Sequence, residues 1–199
     1  RIDQLTGTGT LQTGYSGAGY TAFILGVDNG SALFGGTVAN TPGFVGNLNK
    51  VGTGTQTLTV GITGANLTYT GTTTIDAGSL VLLSPNTNFG VFGSAATVNN
   101  GATLSVDANG TFTDITKNIT LNGGVLAATG AFNGNYGQIF LENGVQVLAT
   151  GNNQSTISAE VHMRGTHVFN VADGTAPIDL LVTGRLSHEH GSKWGAINK

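Results

Sequence analysis

Two imidazoles two residues apart, in the run His188-Glu189-His190, come closest in this chain to a metal-binding pattern. On an extended strand such positions face the same way, so the pair could hold a Zn or Ni ion. His162 and His167 lie upstream, and Glu160 shares a strand face with His162. The competing reading is a polar loop between Arg185 and Trp194 that holds no ligand, and the sequence favours it. No metal and no cofactor is expected, with His188 and His190 kept as weak metal candidates.

Acids are the second possibility, because β-helical enzymes that act on polysaccharides cluster Asp residues on one outer face. Asp76, Asp107, Asp114, Asp173 and Asp179 are scattered, with no Asp-Asp or Asp-x-Asp pair. They read as isolated corner or solvent carboxylates unless stacking of distant segments brings them together. The chain also lacks a G-x-S-x-G elbow, a phosphate loop, an H-E-x-x-H pair and the glycine-rich calcium repeat. No catalytic residue is expected. Tyr15, Tyr20, Phe132, Tyr136 and Trp194 sit in Gly/Asn/Ser-rich surroundings. Tyr136 and Trp194 are candidates for stacking on sugars, against the simpler expectation that such rings pack over corners. Lys50 recurs as Lys199, and a structural role at a junction is expected for it.

Those residues need elements to position them, and composition restricts which elements are available. Gly numbers 33 of 199 residues and only 9% are charged, against about 7% and about 25% in ordinary globular chains. Short Val/Ile/Leu/Phe groups recur along the whole length, which argues against disorder. A net charge of −3 without a basic run excludes nucleic acid as a partner on electrostatic grounds. Zero Cys removes disulfides and thiolate chemistry. No apolar run reaches the roughly 20 residues that span a bilayer. Opening at Arg1-Ile2-Asp3 without a signal pattern, the chain reads as a processed product or an excised segment.

Few windows of ten residues lack a Gly, each of which costs a helix about 1 kcal/mol relative to Ala. Short alternations recur instead, such as Thr57-Leu58-Thr59-Val60, Ala102 to Val106, Val145 to Leu148 and His167 to Val171. Their period of two and β-branched content predict strands. Asn-Gly pairs begin at Asn29, Asn100, Asn109, Asn122, Asn133 and Asn143, where sharp corners requiring φ > 0 are expected. The chain is therefore expected to be all-β. Hairpins of a sandwich or barrel compete with the corners of a parallel β-helix of about 20–25 residues per rung.

Internal repetition decides for the helix. Gly46-Asn47-Leu48-Asn49-Lys50 returns as Gly195-Ala196-Ile197-Asn198-Lys199, and Val27 to Ala32 returns as Val171 to Ala176. One continuous segment, 1–199, is expected, in which 1–47 end one long unit and 48–199 form the next. A right-handed parallel β-helix, or solenoid, of roughly eight or nine rungs is predicted, about 40 Å long. Leu58, Val60, Ile75, Leu80, Leu82, Leu104, Val106, Ile119, Leu121, Ile139 and Leu141 are its expected inward residues. Outward Thr and Asn should form ladders free of the repulsion that stacked charges bring.

Residues 48–82 combine Lys50-x-Gly52-x-Gly54-Thr55, Gly64-Ala65-Asn66-x-x-Tyr69-Thr70-Gly71 and Ala77-Gly78-x-Leu80-x-Leu82. That order resembles the autotransporter-associated β-strand repeat of bacterial passenger domains. Thr97 to Leu104 and Ile119 to Leu126 resemble the rungs that follow the motif, and Phe169 to Gly184 the rung before it. Val60 to Thr63 looks like an insertion, and Gly71-Thr72-Thr73 departs from the family's usual Gly-Gly-Thr. The resemblance implies a non-enzymatic structural or adhesive segment outside a bacterial cell, secreted across the outer membrane. Its expected partners are like copies or adjacent repeats stacked end to end, in a fibre, and surface glycans or neighbouring cells. A carbohydrate-binding or carbohydrate-active β-helix is the alternative.

Overall fold

Glycine-rich sequence disfavours helices, and short β-branched runs suit a pleated surface. The computed structural model describes residues 1–14, 20–60, 66–83, 95–107, 113–130, 138–142, 144–188 and 196–198, and these contain strands and no helix. Three sides of a coil follow one another along the chain. The first side is one sheet, in stacking order Ala22–Leu25, Asn47–Lys50, Thr73–Ile75, Ala96–Asn99, Ile119–Asn122, Gln146–Thr150, Thr166–Val171 and Ala196–Asn198. The second is Ala32–Phe34, Thr55–Thr59, Gly78–Leu83, Ala102–Asp107, Val125–Thr129, Ser155–Ile157 and Leu180–Val182. The third side carries two short sheets. One joins Thr10–Thr13 to Thr37–Asn40, and the other stacks Thr113–Ile115, Ile139–Leu141, Val161–Met163 and Leu186–His188. Ladders on all three sides are parallel, as in Leu48 beside Thr73, Leu80 beside Leu104 and Ile139 beside Val161.

The molecule is a parallel β-solenoid of about six turns. This corrects the expected eight or nine rungs, and the eight strands of the first side stack over about 34 Å rather than about 40 Å. Turns also differ in length. Phe169 follows its first-side partner Val147 by 22 residues, Val147 follows Ile119 by 28, and Ala196 follows Thr166 by 30. Residues 1–14 give only a partial turn, touching the next through Ile2 beside Leu25 and Gly7 beside Phe34.

Register produces straight inward columns. On the first side one runs through Phe23, Leu48, Thr73, Ala96, Ile119, Val147 and Phe169. Its neighbour runs through Leu25, Lys50, Ile75, Val98, Leu121 and Ala149 and ends at exposed Val171. All eleven residues expected inside, from Leu58 to Leu141, are buried. Each such side chain contributes about 1.5–3 kcal/mol by leaving water, so the core is assembled in small equal steps. Outward on the first side, Thr74, Thr97 and Thr120 lie in register. Beside them Asn122 Nδ2 donates to Asn99 Oδ1 at 3.0 Å, and Asn99 Nδ2 to Asp76 Oδ1 at 2.6 Å.

The sequence repeat is also a repeat of pairing. Ala22 faces Asn47, and Thr166 faces Ala196, so both copies of the Asn/Ala-x-Asn strand dock on equivalent partners. Six turns separate Phe23 from Phe169 along their common column. One repeat therefore spans six turns.

Tyr69 reaches across one of these turns, and its hydroxyl shares a hydrogen bond with Thr73 Oγ1 in the inward column. Burial pushes the phenol from 10.0 up to about 12, against the opposing pull of that hydrogen bond. Below pH 10.0 the group is neutral whether the chain is folded or not. Between 10.0 and about 12 only the unfolded chain loses the proton, so stability should fall by about 2–3 kcal/mol across that window. Denaturation curves taken over that range are expected to show the fall in the wild type and not in Tyr69→Phe.

Candidate functional site

The residues of the 48–82 motif meet at the corner after the first side. Lys50 occupies the inward column between Leu25 and Ile75 and is fully buried. Its ammonium donates to the carbonyl oxygens of Val51 at 2.6 Å, Gly52 at 2.9 Å and Ala77 at 3.3 Å. Three N–H groups thus meet three carbonyls of two successive turns. Desolvation by burial lowers its pKa below 10.5, opposed by the charge of Asp3. Gly52 adopts φ 66°, and a Cβ there would fall 1.9 Å from the Gly26 oxygen. A Cβ on Gly71 would fall 2.2 Å from the Gly46 oxygen. The motif residues are the ones that let adjacent turns approach closely and satisfy their carbonyls.

A second cluster lies on the third side. Asp114, Phe140, His162 and Ser187 share one column at the middle of three-residue strands. Their flanking neighbours Ile139 and Leu141 face the core, so the middle residues face outward. Even so, Asp114, Phe140 and His162 are buried. Arg164 Nη1 lies 3.3 Å from Asp114 Oδ1 and 2.7 Å from Glu142 Oε1. Its guanidinium carbon sits 4.0 Å from the centre of the Phe140 ring, which meets the His162 ring edge-on at 5.2 Å. One cation is shared by two carboxylates and an aromatic face, an arrangement that ties three turns together.

Among the described residues, His162, His167, His188 and Glu160 do not gather into one site. His188 ends the last strand of the third side, exposed and in register with Met163, while His190 lies outside the described residues. Tyr136 and Trp194, with Tyr15 and Phe132, also lie outside them. Tyr20 is 68% exposed and borders a shallow cavity with Arg1, Gln12 and Phe23. Glu160 pairs with Arg185 at 3.4 Å rather than approaching an imidazole. His167 is buried, with Nδ1 3.3 Å from the Val145 oxygen and Nε2 3.1 Å from the Arg164 oxygen. Among the described residues no three His, Asp or Glu side chains gather as a metal site would require.

Asp114 corrects the expectation of isolated solvent carboxylates, because stacking places it against Arg164. Glu142, Arg164 and Phe140 drew no notice in the sequence. Arg164 lies 50 residues from Asp114 and 22 from Glu142, and turns of unequal length hide any fixed spacing. The other acids occupy different places: Asp76 caps the Asn99 ladder, and Asp179 Oδ1 accepts from the Gly174 amide at 3.0 Å. No protein-family model, curated protein or solved structure matches this chain.

Arg164→Ala leaves Asp114 buried without its cation and should destabilise by about 3 kcal/mol. The double variant Asp114→Asn/Arg164→Met should recover part of that loss in denaturant titrations. Lys50→Met leaves three carbonyls without their donor, and a loss of about 2 kcal/mol is expected. The lowered pKa has a separate signature. As pH approaches 10.5 from below, the unfolded amine keeps its proton while the buried one releases it, so wild-type stability rises. Lys50→Met should lack that rise.

Proposed function

We propose that this chain is a stacking module of a bacterial extracellular surface protein. It is a right-handed parallel β-helix with a structural or adhesive role and no catalysis, joining like units end to end into a rod or fibre. The recurrence of one strand pairing after six turns carries this reading, since Thr166 on Ala196 repeats Ala22 on Asn47. A repeat that returns to its own docking geometry can be continued by any like unit.

Partly covered side chains lie at both ends of the described core. At one end Ile2, Leu5 and Leu11 pack against the core yet stay partly exposed, and Leu5, Leu11 and Phe34 border an open groove. At the other, Leu180 and Leu186 are only partly covered. Stacked rungs bury such side chains and pair their strand edges. The resemblance of residues 48–82 to the autotransporter-associated repeat supplies the bacterial surface setting. The absence of Cys and the low charge agree with a chain secreted unfolded across an outer membrane.

The motif residues favour this over carbohydrate chemistry, because Lys50, Gly52, Tyr69 and Gly71 all act within the stack. Sedimentation and electron microscopy over a rising concentration series test the proposal. Rods that lengthen in multiples of one unit are expected, and Leu11→Asp at the exposed end should hold the protein to single units without unfolding it. Short single rods at every concentration would contradict end-to-end joining.

A further inference from the structure

We infer that Asn100 is a site of spontaneous deamidation, singled out by the fold from the other two Asn-Gly pairs among the described residues. The reaction requires the amide nitrogen of the following glycine to reach the Asn side-chain carbonyl, so that nitrogen and that side chain must both be free. Three Asn-Gly pairs lie wholly among the described residues: Asn29-Gly30, Asn100-Gly101 and Asn122-Gly123.

Two of them are held. The Gly30 amide donates to Asp3 Oδ1 at 2.8 Å, and Asn29 Oδ1 accepts from the Thr53 amide at 2.8 Å. The Gly123 amide donates to buried Ser155 Oγ at 3.1 Å, and Ser155 in turn donates to the Leu121 oxygen at 2.9 Å. The Asn122 side chain is fixed by its bond to Asn99. Asn100 and Gly101 differ. Both are exposed in the turn between Ala96–Asn99 and Ala102–Asp107, and neither the Asn100 side chain nor the Gly101 amide has a hydrogen-bond partner among the described residues. Gly101 has φ 77°, and no atom lies within 4 Å of where its Cβ would be. The Asn100 side chain lies beside Gly123, its Oδ1 3.2 Å from where a Cβ there would be, without a hydrogen bond holding it.

The chemistry balances with water alone. The Gly101 nitrogen bonds to Asn100 Cγ, the Cγ–Nδ2 bond breaks, and ammonia leaves carrying the former amide proton. Water then opens the five-membered imide. Addition at Cγ gives aspartate, and addition at the main-chain carbonyl gives isoaspartate, with the backbone routed through the side chain. Either product is a carboxylate, placed next to the corner ladder of Asp76, Asn99 and Asn122. The extra methylene of isoaspartate falls in a turn outside the strand pairing, so the stack tolerates it.

Folded protein held in mildly alkaline buffer, with timed peptide mapping by mass spectrometry, tests the assignment. Acid forms should appear at Asn100 about tenfold faster than at Asn29 or Asn122, the size of effect that one amide hydrogen bond supplies. In denaturant the three rates should converge. Equal rates in the folded protein, or a faster rate at Asn29 or Asn122, would overturn it. Ser155→Ala, confirmed to melt cooperatively, should free the Gly123 amide and accelerate Asn122. An unchanged Asn122 rate in that folded variant also counts against the inference, and the wild-type comparison stands whether or not the variant folds.

Discussion

Parallel, in-register pairing between successive turns is the constraint on which everything else in this molecule depends. Among the described residues, no strand finds its partner nearby in sequence. Each waits for chain that arrives a full turn later, as Leu48 does for Thr73 and Ile119 for Val147. Once that pairing is set, side chains alternate inward and outward with a period of two, and a slip of one residue would turn every inward group to the solvent. The columns, the corners and the buried Lys50 are consequences of this one alignment. Glycine matters here chiefly where backbones meet, as at Gly52 and Gly71.

The same alignment separates what the sequence discloses from what it conceals. Alternation is local, so Leu104, Val106, Ile119 and Leu121 are recognisable as inward residues from their neighbours alone. Asn-Gly corners are local too, and the returning Asn-Lys pair reveals the long unit. The number of turns is not local. It depends on how much chain each corner absorbs, and 22 residues suffice in one turn where another takes 30. Contacts between turns inherit that irregularity, which is why Asp114 and Arg164 look unrelated when read in sequence. Lys50 lies between these cases: its recurrence marks a junction, but its depth depends on facing Leu25 and Ile75.

Charge is used sparingly because stacking sets like positions against one another at about 4.8 Å. A repeated Lys or Asp column would be self-repelling. The chain instead fills its outward columns with Thr and Asn, whose hydroxyls and amides serve as donor and acceptor together. Where charges do meet between turns, opposite signs pair: Arg164 with Asp114 and Glu142, and Arg185 with Glu160. Lys50, buried in the core, is held by carbonyl dipoles rather than by a carboxylate in direct contact.

The column that starts at Phe23 arrives, six turns on, at Phe169. The counterpart of Phe23 in the returning pair is His167, because His167 faces Ile197 as Phe23 faces Leu48. The column has therefore moved two residues along the strand while the pattern came back to its start. Two residues are one full pleat, so inside stays inside and no side chain changes allegiance. A rod made of such units is consequently not a pile of identical discs. On this side, a residue that recurs in the next unit would stand about 7 Å along the strand from the column in which it began.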